Sequence, residues 1–383
     1  MVVKALRPFG TSIFSEMTGL SNRCGAINLS QGFPDFDGPE EIKAKAAEAI
    51  LKGPNQYAPS IGIEALRLAV ARKMKRFYGL DVDPDREITV TSGATEGLCA
   101  TLLGILEPED EVILLEPVYD VYPPICGLTH AKIRYLSLEG PDYRLPAEKL
   151  EKAFNPRTKA IVINNPQNPC TKVFSPEELA LVSELCNRYD AYVVADEVYE
   201  YLVFDGHAHI PMISVPGLRE RAFVISSTAK TFSMTGWKIG YVAAAPELTR
   251  AVRMVHQFLT FSGQGPLQEA MAFAIDFPDP YYREFIRAYT RKRDRLAAAL
   301  SDLGFRVFMP EGTYYVNVDI SSLGFEDDLA FCRKLTEEAG VAAIPCSYFW
   351  KDRKQGRNLA RFCFCKREET LDEAARRLKK WLK

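Results

Sequence analysis

The chain has 383 residues, of which 47% are hydrophobic and 26% charged, with a formal net charge of −2. That composition is ordinary for a globular protein, and so small a charge gives no electrostatic case for nucleic acid or an anionic membrane surface. No apolar run is long enough to span a bilayer, the first residues lack the apolar core of a signal peptide, and the length allows two domains.

Residues 1–37 form a polar-aromatic segment ending in Asn28-Leu29-Ser30-Gln31-Gly32-Phe33-Pro34-Asp35-Phe36, where Gly and Pro forbid a continuing helix. A helix is predicted over 39–51, with Pro39 in its first turn and Glu40 and Glu41 at its N-terminus. Asn55-Gln56-Tyr57-Ala58-Pro59 reads as a loop. Residues 63–78 read as a basic amphipathic helix whose charges form a solvated face.

From residue 87 the pattern changes. Val/Ile-rich runs at 88–91, 112–115, 132–138, 160–164, 192–195, 222–226 and 239–244 alternate with helical stretches such as 94–106. Ser175-Pro176-Glu177-Glu178 opens another helix with a capping box and Pro at its first position. The predicted fold class is α/β, with a mostly parallel seven-stranded sheet covered on both faces. The last link, 222–226 to 239–244, is too short for a crossover helix, so that pair is expected to be antiparallel.

From about 280 a smaller α+β domain is expected. It holds a charged helix over 281–303, a strand within 312–318, a helix near 327–339, the run 341–345, a strand within 360–364 and a helix over 369–382. The predicted organisation is an N-terminal segment (1–37) packing with the small domain, a large domain (38–279) and the small domain (280–383).

The nine cysteines are irregularly spaced with no CxxC pair, and the four histidines form no HExxH. Reduced thiols in a cytoplasmic protein are expected, with no metal site. His207 and His209, between Gly206 and Pro211, read as loop residues.

In a parallel α/β sheet, ligands bind beyond the carboxyl ends of the strands. After 88–91 stands Ser92-Gly93-Ala94-Thr95-Glu96-Gly97, a small-residue turn into a helix. It is neither GxGxxG nor a P-loop, and it suits either a phosphate or a purely structural turn. Tyr119 follows the next run, placed to stack on a flat ring or to pack. Asn165-Pro166 and Asn168-Pro169 are two Asn-Pro steps within one turn.

Asp196 follows the apolar Tyr192-Val193-Val194-Ala195, so its carboxylate needs a cation, an ion pair or a helix end to cap. The stretch from Ser226 to Gly240 carries Lys230 and Lys238 among Ser, Thr and Gly. It reads either as a solvated loop or as a buried amine that forms a Schiff base, with a phosphate held nearby. Arg361 is the lone charge of an apolar strand and needs an anionic partner.

In order and spacing, Asn168, Asp196-x-x-Tyr199, Ser227-x-x-Lys230 and Lys238 resemble the class I/II aminotransferases of the fold-type-I pyridoxal-phosphate enzymes. The resemblance runs from Gly32 to Arg361, over essentially the whole chain. It is strongest to the branch of methionine aminotransferases, kynurenine aminotransferases and glutamine transaminase K. The segments that carry it are Asn28 to Gly38, Asn55 to Pro59, Met234 to Lys238, Val255 to Ser262 and Arg361 to Phe364.

The resemblance implies pyridoxal 5'-phosphate as cofactor. Lys230 carries it and shuttles the proton between substrate Cα and cofactor C4′. Asp196 keeps the pyridine nitrogen protonated, Asn168 and Tyr199 bond the ring's phenolate oxygen, and Tyr119 stacks on its face. Ser227, Lys238 and the backbone N–H groups near Gly93, Ala94 and Thr95 take the phosphate, joined by Tyr57 of a neighbouring subunit in a homodimer. Arg361, with Asn168, clamps the substrate α-carboxylate.

Gly32, Phe14, Tyr57 and Phe261 are expected at the substrate. With Phe33, Tyr122 and Phe258 these aromatics suggest a neutral side chain such as Met, Gln, Leu or an aromatic. The implied reaction passes an amino group from an amino acid to a 2-oxo acid by a ping-pong mechanism. The chain departs from the family at Cys170-Thr171 and Ala229, where Gly is usual, at Ser262, where some kynurenine-type members carry His, and at Gly263-Gln264-Gly265-Pro266. A C–S β-lyase on the same cofactor is the main alternative. A Ser227-x-x-Lys230 acyl-enzyme lacks its partner motifs, and a cofactor-binding sensor lacks a DNA-binding domain.

Overall fold

A computed structural model describes residues 2–383. After a two-residue strand, β1 (Ile27–Asn28), the Val/Ile-rich runs become one sheet. Its strands are β2 (Ile88–Thr91), β3 (Glu111–Glu116), β4 (Lys132–Ser137), β5 (Thr158–Asn164), β6 (Tyr192–Asp196), β7 (Ala222–Ser227) and β8 (Gly240–Ala244).

The order across the sheet is β2-β8-β7-β6-β5-β3-β4. Six strands run in one direction, and β8 runs against both of its neighbours. The cause is the short link between β7 and β8, which leaves no room for a crossover helix. Alternate residues feed two cores. Ile113, Leu115, Ile161, Ile163 and Val193 enter one, and Val112, Leu114, Ala160, Val162 and Val194 enter the other. A sheet buried on both faces must read as a continuous apolar run, and these strands do.

The C-terminal part supplies β9 (Arg306–Phe308), β10 (Tyr315–Asp319), β11 (Val341–Ala342), β12 (Ile344–Pro345) and β13 (Leu359–Cys363). Four of them form an antiparallel sheet in the order β12-β13-β10-β9 over a third core that includes Phe331, Phe362 and Leu378. β1 pairs in parallel with β11, Ile27 opposite Val341, as a separate two-stranded sheet that ties the N-terminal segment to the C-terminal part.

The helices Glu40–Lys52, Glu64–Tyr78, Gly93–Ile105, Asp279–Asp302 and Glu368–Trp381 stand within two residues of their predicted ends. The capping box at Ser175 forms in both directions. Three readings are corrected. The N-terminal segment holds a helix, Ile13–Cys24, started by the Ser12 side chain accepting from the Ser15 N–H. The helices Pro246–Leu259 and Gly265–Ile275 were not foreseen. The basic helix is not solvated throughout, because Arg67 and Lys73 are buried. Lys73 is held by Glu200 and by Tyr241 Oη at 2.8 Å, partners that lie far away in sequence. His209 sits in a loop, its Nε2 3.0 Å from Glu197.

Candidate active site

The carboxyl edge of the large sheet opens onto a cavity of about 360 Å³. Asn164 ends β5, Asp196 ends β6, Ser227 ends β7 and Gly93 follows β2, so one edge delivers all four. Lys230 and Lys238 stand on the link between β7 and β8 at the same edge. The smaller sheet and the N-terminal segment close the other side with Tyr315, Gly32 and Phe14.

The turn after β2 is built to meet an anion. Gly93 has φ +74°, a conformation L side chains avoid, and it opens the helix Gly93–Ile105. Glu96, the acid of the first turn, is occupied by the Ser92 N–H at 2.7 Å and by His256 Nδ1 at 2.8 Å. The amides of Ala94 and Thr95 therefore remain at the helix N-terminus, beside the cavity. A Cβ on Gly240 would lie 2.7 Å from Ala94 N, so only glycine lets β8 pass so close. Lys238 Nζ overhangs the turn, 3.1 Å from where a Cβ on Gly93 would stand.

Asp196 is buried, accepts from Tyr122 Oη at 2.8 Å and from the Val198 N–H at 3.3 Å, and its carboxyl is pushed up to about 6 by burial, against the pull of the Tyr122 bond. Lys230 is enclosed by protein with its tip at the cavity. Burial draws its amine down to about 8, opposed by Cys365 and Asp196 and assisted by Lys238 and Arg361. Its Nζ donates to Tyr314 Oη at 2.7 Å.

Arg361, in β13, is completely buried. It donates to Asn168 Oδ1 and, at 3.4 Å, to Ser30 O, and its guanidinium lies 3.8 Å from the centre of the Tyr315 ring. Its Nε has no partner among the described residues. A buried guanidinium short of acceptors is suited to receive a carboxylate.

The structure thus gathers Phe14, Gly32, Gly93, Ala94, Thr95, Tyr119, Asn168, Asp196, Tyr199, Ser227, Lys230 and Lys238 around one cavity, with Arg361 reaching it through Asn168. Tyr57 and Phe261 are not brought there. They are 84% and 53% exposed and pack edge to face at 5.4 Å on the outside. Phe258, 83% exposed, lies outside as well. Tyr122, expected in the side-chain pocket, instead serves Asp196. Tyr314, Tyr315 and Asp120 went unnoticed in the sequence. Asp120 lines the cavity with its carboxyl pushed up to about 6 by burial. Its only sequence signal is its place after a strand.

Fold and site define a fold-type-I, pyridoxal-phosphate-dependent enzyme. The chain belongs to the class I and II aminotransferase family, whose profile matches residues 25–378. It is 44% identical to the "Probable N-succinyldiaminopimelate aminotransferase DapC" of Mycobacterium tuberculosis, over 99% of this chain and 98% of the relative. It is 41% identical to the methionine aminotransferase of Escherichia coli, over 98% and 97%. Human kynurenine–oxoglutarate transaminase 3 matches at 33%, over 99% and 90%. The solved structure of the M. tuberculosis N-succinyldiaminopimelate aminotransferase superposes with a TM-score of 0.97 over 100% of both chains. The E. coli YbdL structure, with methionine aminotransferase function, gives 0.95 over 99% of both.

Proposed function

We propose that this aminotransferase takes a neutral amino acid, such as methionine, glutamine, leucine or an aromatic one, as amino donor. The observation that carries this is the charge inventory of the cavity. Among the described residues its lining cations are Lys230 and Lys238, with Arg361 behind Asn168. Each already has a task, at the amine, the phosphate and the α-carboxylate. The other lining side chains are neutral, Ser12, Ser15, Gln31 and Phe14 among them, or acidic, as Asp120 and Asp196 are. A second substrate carboxylate would meet Asp120 rather than a guanidinium.

The relatives are named for both kinds of substrate. Methionine and kynurenine have side chains without a carboxylate, whereas N-succinyldiaminopimelate carries carboxylates beyond the α-position. The cavity of this chain favours the first kind.

The site fits pyridoxal phosphate on its own features. It has a helix N-terminus opened by the left-handed Gly93, with Gly240 packed against it too closely for a Cβ, Lys238 above it, the Asp196 carboxyl raised by burial, and Lys230 with its amine drawn down at the same cavity. When bound, the cofactor supplies an electron sink for the charge left on Cα. Ser227, Lys238 and the amides of Ala94 and Thr95 would hold its phosphate. Asp196 would hold its pyridine nitrogen protonated, Asn168 and Tyr199 would bond its phenolic oxygen, and Tyr119 would cover its face. Lys230, with its amine near neutrality, takes the α-proton and carries it. Arg361 and Asn168 orient the substrate by its α-carboxylate, with Gly32 leaving room beside Tyr315.

The working form is a homodimer in which Tyr57 and Phe261 of one copy complete the cavity of the other. Nine free thiols, seven of them buried, fit a reducing, cytoplasmic setting.

The test is the absorbance of the purified, cofactor-loaded protein after separate additions of L-methionine, L-glutamine, L-phenylalanine, L-aspartate and N-succinyldiaminopimelate. Loss of the yellow lysine-bound form with a neutral donor, with oxo acid released and no ammonia, is expected. Preference for N-succinyldiaminopimelate or aspartate refutes the neutral reading. Ammonia release from a cysteine conjugate would mark a β-lyase.

A further inference from the structure

Tyr314 stands just ahead of β10, in a segment that sequence patterning marks only as strand. Its hydroxyl lies between two partners. Lys230 Nζ is 2.7 Å away, and the Gly32 carbonyl is 2.5 Å away. A carbonyl oxygen can only accept, so the single phenolic proton belongs to Gly32. The lone pairs of the phenol oxygen are then left facing Lys230, which must donate to them.

The ring has no freedom to change this. It is fully buried, edge-on to Tyr199 at 5.2 Å and to Tyr315 at 4.8 Å, and stacked on Tyr289 at 6.3 Å. Gly32 is held as well, since a Cβ there would come within 2.5 Å of Tyr314 Cε2. Lys230 comes from the large sheet, Tyr314 from the smaller one, and Gly32 from the segment that β1 ties to β11.

We propose that Tyr314 is a positioning residue for Lys230. With its own proton committed to Gly32, its oxygen is a fixed acceptor for one N–H of the lysine whenever that amine is free. A free lysine on four rotatable bonds would otherwise sample many directions. The bond to Tyr314 selects one and so sets where the nitrogen lone pair points at the moment it must take a proton. Because the acceptor sits on the smaller-sheet side, the aim of the amine is coupled to how the two sheets are packed.

The other charged or titratable groups around Lys230 are Asp196 at the end of β6, Tyr199 just after it with its ring centre 5.8 Å from Nζ, Cys365 after β13, Lys238 on its own loop and Arg361 in β13. None of these is its hydrogen-bond partner in the way Tyr314 is. Loss of the Tyr314 oxygen removes an acceptor that favours the ammonium form and leaves the other five in place.

The experiment uses the full chain freed of cofactor. The rate of Lys230 acylation by an amine-selective reagent is followed against pH by peptide mass spectrometry. In Tyr314→Phe the inflection is expected about one pH unit lower than in the parent, the size of one hydrogen bond to a charged group. Tyr289→Phe deletes a hydroxyl from the stacked ring without touching Lys230, and it should leave the inflection in place. In the loaded enzyme Tyr314→Phe should lower kcat about tenfold with little change in KM for the oxo acid.

If Tyr314→Phe does not fold, 3-fluorotyrosine at 314 keeps ring and hydroxyl but weakens the oxygen as an acceptor. A smaller shift in the same direction is then expected. An unmoved inflection in either Tyr314 variant, or an equal shift in Tyr289→Phe, overturns the proposal.

Discussion

Asp196 carries an unfavourable charge until a cation arrives. Its folded pKa of about 6 stands above the ordinary 3.8, with burial as the main cause. Below pH 3.8 the group is protonated in both folded and unfolded chains and contributes no penalty. Between 3.8 and 6 the folded chain holds the proton more tightly, so stability falls as pH rises, and above 6 the full penalty of roughly 2–3 kcal/mol is present. Asp196→Asn in the cofactor-free protein should therefore be more stable than the parent at pH 7, by up to that amount. The gain should shrink as pH falls from 6 to 4, which urea unfolding at each pH measures. The loaded variant should lose at least about 10²-fold in kcat, because an amide cannot hold the pyridine nitrogen charged. At this scale the sequence singles out Lys230, Asp196 and Asn168 by their spacing and Arg361 as the lone charge of an apolar strand, and the fold brings all four to one cavity, Arg361 through Asn168. It gives Tyr122 to the side-chain pocket rather than to Asp196 and gives Tyr314 no role, because their partners lie 74 and 84 residues away and their hydroxyls look like any other buried phenol.

Strands place these residues, and the strands were legible because a sheet buried on both faces leaves continuous apolar runs. The close approach of β8 to the turn after β2 was not, since it depends on a pairing between strands far apart in sequence. Gly240 is where that pairing is tightest. A Cβ there would stand 2.7 Å from Ala94 N and from Gly93 C, and 2.9 Å from Ser226 O, all backbone atoms that cannot swing aside. Gly240→Ala should cost about 1–3 kcal/mol of stability, as overpacking does. It should also weaken pyridoxal phosphate binding at least tenfold by displacing the Ala94 amide. Denaturant melts and a fluorescence titration with the cofactor measure the two effects. Intact affinity would show that the turn does not hold the phosphate. The helix Glu64–Tyr78 teaches the same limit from the other side. Its period identified it as amphipathic, yet the burial of Lys73 follows from Glu200 and Tyr241, which helical spacing alone cannot reveal.

The whole molecule brings two sheets together over one cavity. Lys230, Asp196 and the turn at Gly93 come from the larger sheet, and Arg361, Tyr314 and Gly32 come from the smaller one and the segment tied to it. One chain still leaves large aromatic surfaces in water. Tyr57, Phe258 and Phe261 stand exposed, as do Leu51 and Leu259; Leu51 is in the last turn of Glu40–Lys52, Tyr57 on the loop after it, and the other three are at or just past the end of Pro246–Leu259. The homodimer proposed above would cover these side chains and would place the neighbour's Tyr57 at the phosphate. Phe258→Glu puts a charge into that contact, and the variant should sediment as a monomer at micromolar concentration with the fold intact by circular dichroism. Because the neighbour's Tyr57 is then lost, the monomer should release pyridoxal phosphate at least tenfold more readily. Tyr57→Phe separates the two effects, since it should remain dimeric yet lose about tenfold in cofactor affinity, the equivalent of one charge-assisted hydrogen bond. A monomeric Phe258→Glu protein that keeps full affinity and turnover would mean that each chain builds its site alone. Tyr57 and Phe261 would then be surface residues with no part in the chemistry.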